Sequence, residues 1–152
     1  MDGAFSAKRG KSGIGGIIRN SNGDWIVGFC NKSYAYNHLM TDLEALEHGH
    51  QLVHAQKLLP VEIETDVVEV LQCLDHAHPT YIPVVESFRS LLRKLENPPL
   101  RHSFREANKV ADILSKQGAK LAGSNQTSVL QLCHDNSINN LKQIKTELLS
   151  RK

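Results

Sequence analysis

An α/β domain with a mixed five-stranded sheet flanked by helices is the fold class this sequence predicts, on three observations. The first thirty residues alternate and turn as a β-meander does. From Leu39 the hydrophobic period changes to 3.6, and strand-like and helix-like runs then follow in the order βββαβααβα. The chain has 152 residues, 40% hydrophobic and 22% charged, the profile of one ordinary domain.

The first strand is read at Asp2 to Ser6, followed by a loop from Ala7 to Gly13 carrying Lys8, Arg9 and Lys11. In GIIRNSNGDWIVGF, Ile17 and Ile18 precede the hairpin signal Asn22-Gly23, and Trp25, Val27 and Phe29 alternate on the return strand. Leu39, Leu43, Leu46, His50 and Val53 then form one helical stripe ending near Gln56, and Pro60 closes the link to the strand VEIET. Residues 67 to 75 read as a short helix and HAHPTYIP as a loop. Val84, Phe88, Leu91, Leu92 and Leu95 form the inner face of a second long helix, which Pro98-Pro99 ends. Leu100 to Phe104 supply a last strand, and Asn108 to Leu121 a final helix with Val110, Ala111, Leu114 and Leu121 inward. The domain is therefore expected over 1–121. Residues 122–137 are polar and read as a linker, and Ile138, Leu141, Ile144 and Leu148 suggest a C-terminal amphipathic helix.

Composition excludes several functions. Eighteen Lys+Arg against sixteen Asp+Glu give a net charge of +2, so no global field holds the chain on nucleic acid or on an anionic membrane. Binding must come from local patches. No apolar run approaches the roughly 18 residues of a membrane helix, and the N-terminus lacks a signal-peptide core, so no membrane partner and an intracellular location are expected, nucleus or cytoplasm undecided. Cys30, Cys73 and Cys133 are odd in number and far apart, which reads as reduced structural thiols.

Asp2 on the first strand, Asp42 or Glu44 on the first long helix, Asp66 just past the fourth strand and Asp112 in the last helix are acids that this topology can gather. Clustered carboxylates repel unless cations neutralise them, and Mg²⁺ favours a few carboxylates plus waters and phosphates. That is the chemistry of two-metal phosphodiester cleavage. On spacing alone these are equally four ordinary solvated acids.

DGAFSAKRGKSGIGGIIRNSNGDW, IETD followed by an apolar helix, and HSFREANKVADILSK together resemble the successive motifs of the ribonuclease H family, most closely its plant reverse-transcriptase-associated subgroup. The match runs in order over roughly residues 2 to 121. The resemblance implies a ribonuclease H-like fold and a retroelement-related hydrolase, an endonuclease that cuts the RNA strand of an RNA/DNA hybrid with two Mg²⁺ ions, Mn²⁺ serving as a substitute. It assigns Asp2 in DGA, Asp66 in ETD and Asp112 in VAD as metal ligands. For the remaining ligand, a family helix carries a Glu with a glycine seven places on, and counting back from Gly49 gives Asp42. Helix geometry votes the same way: Asp42 borders the inward stripe, whereas Glu44 falls with Glu47, His48 and Gln51 on the opposite face, expected to be solvated.

There are departures. Asp42 is a methylene shorter than Glu, Val67 replaces a common Ser, and the chain begins at Met1-Asp2 where relatives lead in with apolar residues, so either a truncated first strand or a fragment of a longer protein is expected. The competing function is accordingly a catalytically impaired nucleic-acid-binding or protein-interaction domain of the same fold.

His102 stands ten residues before Asp112, where relatives place a mobile auxiliary catalytic histidine, yet LRHSF reads equally as strand. His50 and His54 have a zinc-compatible i, i+4 spacing without cysteine or HExxH partners, and read as packing or surface. Substrate contact is expected from Lys8, Arg9 and Lys11 near Asp2, from Arg101, Arg105 and Lys109 near Asp112, and from Gly3 through close backbone approach. Only eight aromatic residues occur and most have core positions open to them, so stacking is expected to contribute little. The oligomeric state is not legible.

Overall fold

The computed structural model describes residues 2–6, 11–104, 106–121, 128–130 and 143–145; side chains are described from residue 12 to 121, apart from those in the gaps. In chain order the elements are β1 (Asp2–Ser6), β2 (Lys11–Arg19), β3 (Trp25–Ser33), α1 (His38–Gln56), β4 (Ile63–Thr65), α2 (Val68–Asp75), a 3₁₀ turn (Pro79–Tyr81), α3 (Ile82–Lys94), β5 (Leu100–His102), α4 (Lys109–Gly118), β6 (Ser128–Leu130) and β7 (Gln143–Lys145). Up to α4 this is the expected α/β order. Lys11 begins β2 rather than lying in a loop.

β1, β2 and β3 form an antiparallel meander, with Asp2 opposite Gly15 and Ile14 opposite Asn31. The Asn22-Gly23 turn forms as predicted, Gly23 taking φ +84° and donating its N–H to the Asn20 carbonyl at 3.0 Å. The return strand departs from simple alternation. Ile18 pairs with Val27 but Arg19 pairs with Trp25, so Ile26 is an inserted bulge residue. Val27 and Phe29 therefore face one side, fully buried, while Trp25 turns to the other and packs with Cys30 and Leu114.

Helices cover both sides of the meander. α1 lies against β1 and β2 and carries α3 on its outer side, so its buried surface exceeds the expected stripe: Thr41, Asp42, Ala45 and Gly49 join Leu43, Leu46, His50 and Val53. Asn37 caps it, accepting the Met40 N–H at 2.8 Å. Leu43 and Leu46 meet Ile63, Val70, Cys73, Val85 and Phe88 in the main core, so Val85 rather than Val84 is the innermost residue at the start of α3. On the opposite face α4 sits directly on backbone. A Cβ on Gly15 would fall 2.3 Å from the Ser115 nitrogen, and one on Gly13 2.1 Å from the Ala119 nitrogen, so only glycines admit the helix at this depth.

The sheet itself differs from expectation. Instead of one mixed five-stranded sheet, the described residues form an antiparallel sheet in the order β1-β2-β3-β6-β7 and a separate parallel pair, β4-β5. β4 and β5 have three residues each, Ile63 opposite Leu100 and Thr65 opposite His102. Residues 128–130 and 143–145, expected within a linker and an amphipathic helix, are strands: β6 pairs with β3 (Phe29 opposite Val129) and β7 with β6 (Val129 opposite Ile144). The remainder of 122–142 and residues 146–152 lie outside the described residues. No helix among the described residues is long and apolar enough to cross a membrane.

Candidate active site

Asp66 follows β4, whose last residue, Thr65, is buried and fixed by the Ser103 N–H donating to its carbonyl at 2.8 Å. The Asp66 carboxylate is half-buried and accepts a hydrogen bond from Asn108 Nδ2 at 2.8 Å. Asn108 is itself only 7% exposed. It occupies the N-cap position of α4, but its side chain makes no cap bond and reaches across to Asp66 instead. Its carbonyl accepts the Asp112 N–H at 3.1 Å. One residue thus ties the end of β4 to the first turn of α4 and brings Asp66 and Asp112 to the same end of the molecule. On the solvent side, Asp112 Oδ2 pairs with Lys116 Nζ at 2.6 Å.

Asp42 lies in the second turn of α1 and is 7% exposed. Glu44 is half-buried and accepts the Ser33 hydroxyl at 2.5 Å, which turns it toward the end of β3. The face expected to be solvated is therefore partly covered. His48 stacks at 5.1 Å from Phe29, with burial lowering its pKa, and Glu47 accepts the Ser87 hydroxyl of α3 at 2.5 Å. The reason is that α1 has neighbours on two sides, the sheet and α3, where the sequence reading allowed one.

Asp2 and Gly3 are placed in β1 by their backbones, opposite Gly15 and Ile14; their side chains lie outside the described residues. Lys8, Arg9 and Arg105 also lie outside them, as does the Lys11 side chain. Arg101 is exposed and 3.4 Å from Glu62, and Lys109 is exposed at the start of α4. Among the described residues, no group of three or more His, Cys, Asp or Glu could hold a metal ion.

His102 ends β5, opposite Thr65, with Nε2 at 3.3 Å from the Asp66 carbonyl oxygen and its ring edge-on to Phe104 at 5.8 Å. LRH is thus strand, one of the two readings that LRHSF offered. The His50/His54 pair divides. His50 is 1% exposed, with Nδ1 2.6 Å from the Leu46 carbonyl and its ring edge-on to Phe88 at 4.6 Å, while His54 is exposed. Burial lowers the His50 pKa, partly offset by that backbone hydrogen bond. Cys30 and Cys73 are buried, and desolvation raises both thiol pKa values, so neither is a ready nucleophile.

Sequence reasoning missed Asn108, because a polar residue at a helix start reads as a cap. It also undervalued the aromatics: Tyr34, Tyr36 and Phe104 are 66%, 59% and 76% exposed.

A family profile described as reverse transcriptase-like matches residues 1–118. No curated protein matches the sequence. Among solved structures, LC11-RNase H1 from a compost metagenome is 20% identical with a TM-score of 0.68, the alignment covering 78% of this chain and 91% of that one; the same protein has also been crystallised in complex with an RNA/DNA hybrid. RNase H1 from the halophilic archaeon Halobacterium salinarum is 20% identical with a TM-score of 0.63, covering 77% and 92%. The protease-reverse transcriptase of prototype foamy virus is 18% identical with a TM-score of 0.63, covering 80% of this chain and 20% of that one. These structural likenesses establish the fold.

Proposed function

The chain belongs to the reverse transcriptase-like family of ribonuclease H domains, and on that premise we propose that it is a metal-dependent endoribonuclease that cuts the RNA strand of RNA/DNA hybrids. The observation that carries this reading is the Asn108 bridge, which holds the Asp66 carboxylate while its carbonyl fixes the turn bearing Asp112. A buried asparagine whose amide holds a half-exposed acid gives that acid the fixed orientation that a ligand site needs.

By donor chemistry the set suits Mg²⁺: Asp42, Asp66 and Asp112, with Asp2 on β1, offer only hard oxygen donors, and His102 turns its ring to the Asp66 backbone carbonyl. Asp2, Asp42, Asp66 and Asp112 would hold two Mg²⁺ ions, which when bound supply an activated water and charge stabilisation of the leaving oxygen. The chain's own residues do the rest. Asn108 orients Asp66. Lys116 Nζ, at 2.6 Å from Asp112 Oδ2, holds that carboxylate from its solvent side. Arg101, Lys109 and the basic residues Lys8, Arg9, Lys11 and Arg105 supply phosphate contacts, and the RNA 2′-hydroxyls distinguish the strand to be cut. His102 stands beside Asp66 as an auxiliary group for product departure.

A second reading has its own observation. Asp42 is short and buried, and a shorter carboxylate at a metal site weakens reach, so a domain that binds hybrid and cleaves it poorly is favoured by that residue. The test is incubation of the purified chain with an RNA/DNA hybrid, double-stranded DNA and single-stranded RNA, in Mg²⁺, Mn²⁺ and chelator. The proposal expects the RNA strand of the hybrid to be cut, with the metal required and Mn²⁺ outperforming Mg²⁺. Hybrid binding without a cut in either metal supports the second reading, and neither binding nor cutting removes both.

A further inference from the structure

Residues 33 to 36, which join β3 to α1, alternate strictly: Ser33 and Ala35 are buried, while Tyr34 and Tyr36 are 66% and 59% exposed. Hydrogen bonds pin the inward residues. Ser12 Oγ donates to the Ser33 carbonyl at 2.7 Å, and Ser33 Oγ donates to Glu44 and accepts the Ala35 N–H at 3.0 Å. Asn37 closes the segment, capping α1 and donating through Nδ2 to the Tyr81 hydroxyl at 3.0 Å. The backbone beneath the rings is thus fixed at both ends. The tyrosines emerge on its outward side two residues apart, about 6.6 Å along extended chain. Lys32 Nζ stands 5.2 Å from the Tyr34 ring centre.

A single exposed aromatic ring calls for no explanation. Two rings on a preordered backbone with a cation against them have the make-up of a stacking platform, on which successive bases lie against aromatic faces while a basic side chain takes the phosphate. Bases inside a duplex already stack on each other and offer no free face, so the ligand is an unpaired stretch of strand. Asn37, directly after Tyr36, caps the helix whose second turn carries Asp42, so the tyrosines precede the α1 turns that bear that candidate carboxylate.

We propose that Tyr34, Tyr36 and Lys32 form a stacking step for unpaired nucleotides continuous with the bound hybrid. This rests on the reading above only in taking nucleic acid as the ligand. Because stacking is uncharged, the step adds affinity that persists as salt rises, unlike phosphate contacts.

The test is fluorescence anisotropy with three probes: a blunt RNA/DNA hybrid, the same hybrid with an overhang of about four nucleotides, and the single-stranded overhang sequence alone. The expected gain from the overhang in the native chain is on the order of tenfold. Tyr34→Ala/Tyr36→Ala should erase that gain and leave blunt-hybrid affinity unchanged. Tyr34→Phe/Tyr36→Phe should keep it, since the ring rather than the hydroxyl does the stacking; melting curves check that both variants fold. Equal affinity for blunt and overhanging hybrids, or a gain that survives the alanine pair, overturns the step while leaving hybrid cleavage intact. Tyrosine-dependent binding of the single strand by a chain that neither binds nor cuts hybrid upholds the stacking of unpaired nucleotides and overturns both its continuity with a hybrid and the ribonuclease reading.

Discussion

Asn108 is the residue whose loss separates site from scaffold. Its amide holds Asp66 at 2.8 Å, and removing it leaves α4 without a cap bond to lose, since the side chain makes none. Asn108→Ala is therefore expected to lower hybrid cleavage by roughly 10- to 100-fold, the usual cost of deleting a group that orients a metal ligand. Stability should fall by only about 1 kcal/mol. Kinetics and thermal melts on the same preparation check this; unchanged cleavage would dismiss Asn108 as a positioning group. Asp42 yields a second expectation. Asp42→Asn should remove cleavage, Glu44→Gln should leave it within a few-fold because the amide can still accept from Ser33, and Asp42→Glu should raise it by restoring reach. The stripe through Leu43 and Leu46 made the burial of Asp42 legible in sequence. The tether on Glu44 was not, because Ser33 is distant in sequence and its role depends on where β3 ends. His50 yields a third. Burial holds its pKa below the ordinary 6.5, so the folded chain keeps it neutral. Between its folded and unfolded pKa values the unfolded chain binds more protons. Its contribution to stability is thus complete above about pH 6.5 and declines as pH falls below it, at up to about 1.4 kcal/mol per pH unit. His50→Leu should flatten this acid limb in melts between about pH 7 and 5; an unchanged slope would assign the limb to other groups.

At the scale of elements, the close seat of α4 on β2 links packing to the site. Ser115 and Gly118 are buried against the meander, and Asp112 lies on the same helix a turn earlier. Gly15→Ala would put a methyl 2.3 Å from the Ser115 nitrogen, and since the obstacle is backbone, the helix must move. We expect a loss of about 1–3 kcal/mol in denaturant titrations, with cleavage falling further than that loss explains because Asp112 moves with α4. Gly23→Ala, in open space at a turn, should cost stability but not cleavage beyond it. Local pattern made the helices legible, since each has a stripe and a boundary signal. The glycines of β2 read as ordinary hairpin residues, for no sequence signal says which helix comes to rest on them. Trp25 was misplaced for a related reason: a bulge at Ile26 reverses the facing of what precedes it, and alternation alone does not reveal the extra residue.

For the whole molecule, what sequence left hidden is long-range pairing. The parallel β4-β5 pair and the attachment of β6 to β3 depend on which strand edges remain open, and nothing within three-residue strands encodes that. The order of elements was legible because each announces itself locally. The tie between Asp66 and the turn bearing Asp112 was not, because it depends on Asn108 meeting the end of β4 in the assembled fold. The most direct test of the central claim is cleavage of an RNA/DNA hybrid by the native chain and by Asp66→Asn under a Mg²⁺ or Mn²⁺ titration. The account predicts metal-dependent cutting of the RNA strand by the native chain and a loss on the order of 100-fold or more in the variant, at unchanged fold and hybrid affinity. Cutting by Asp66→Asn at the native rate, with the same metal dependence, would contradict it.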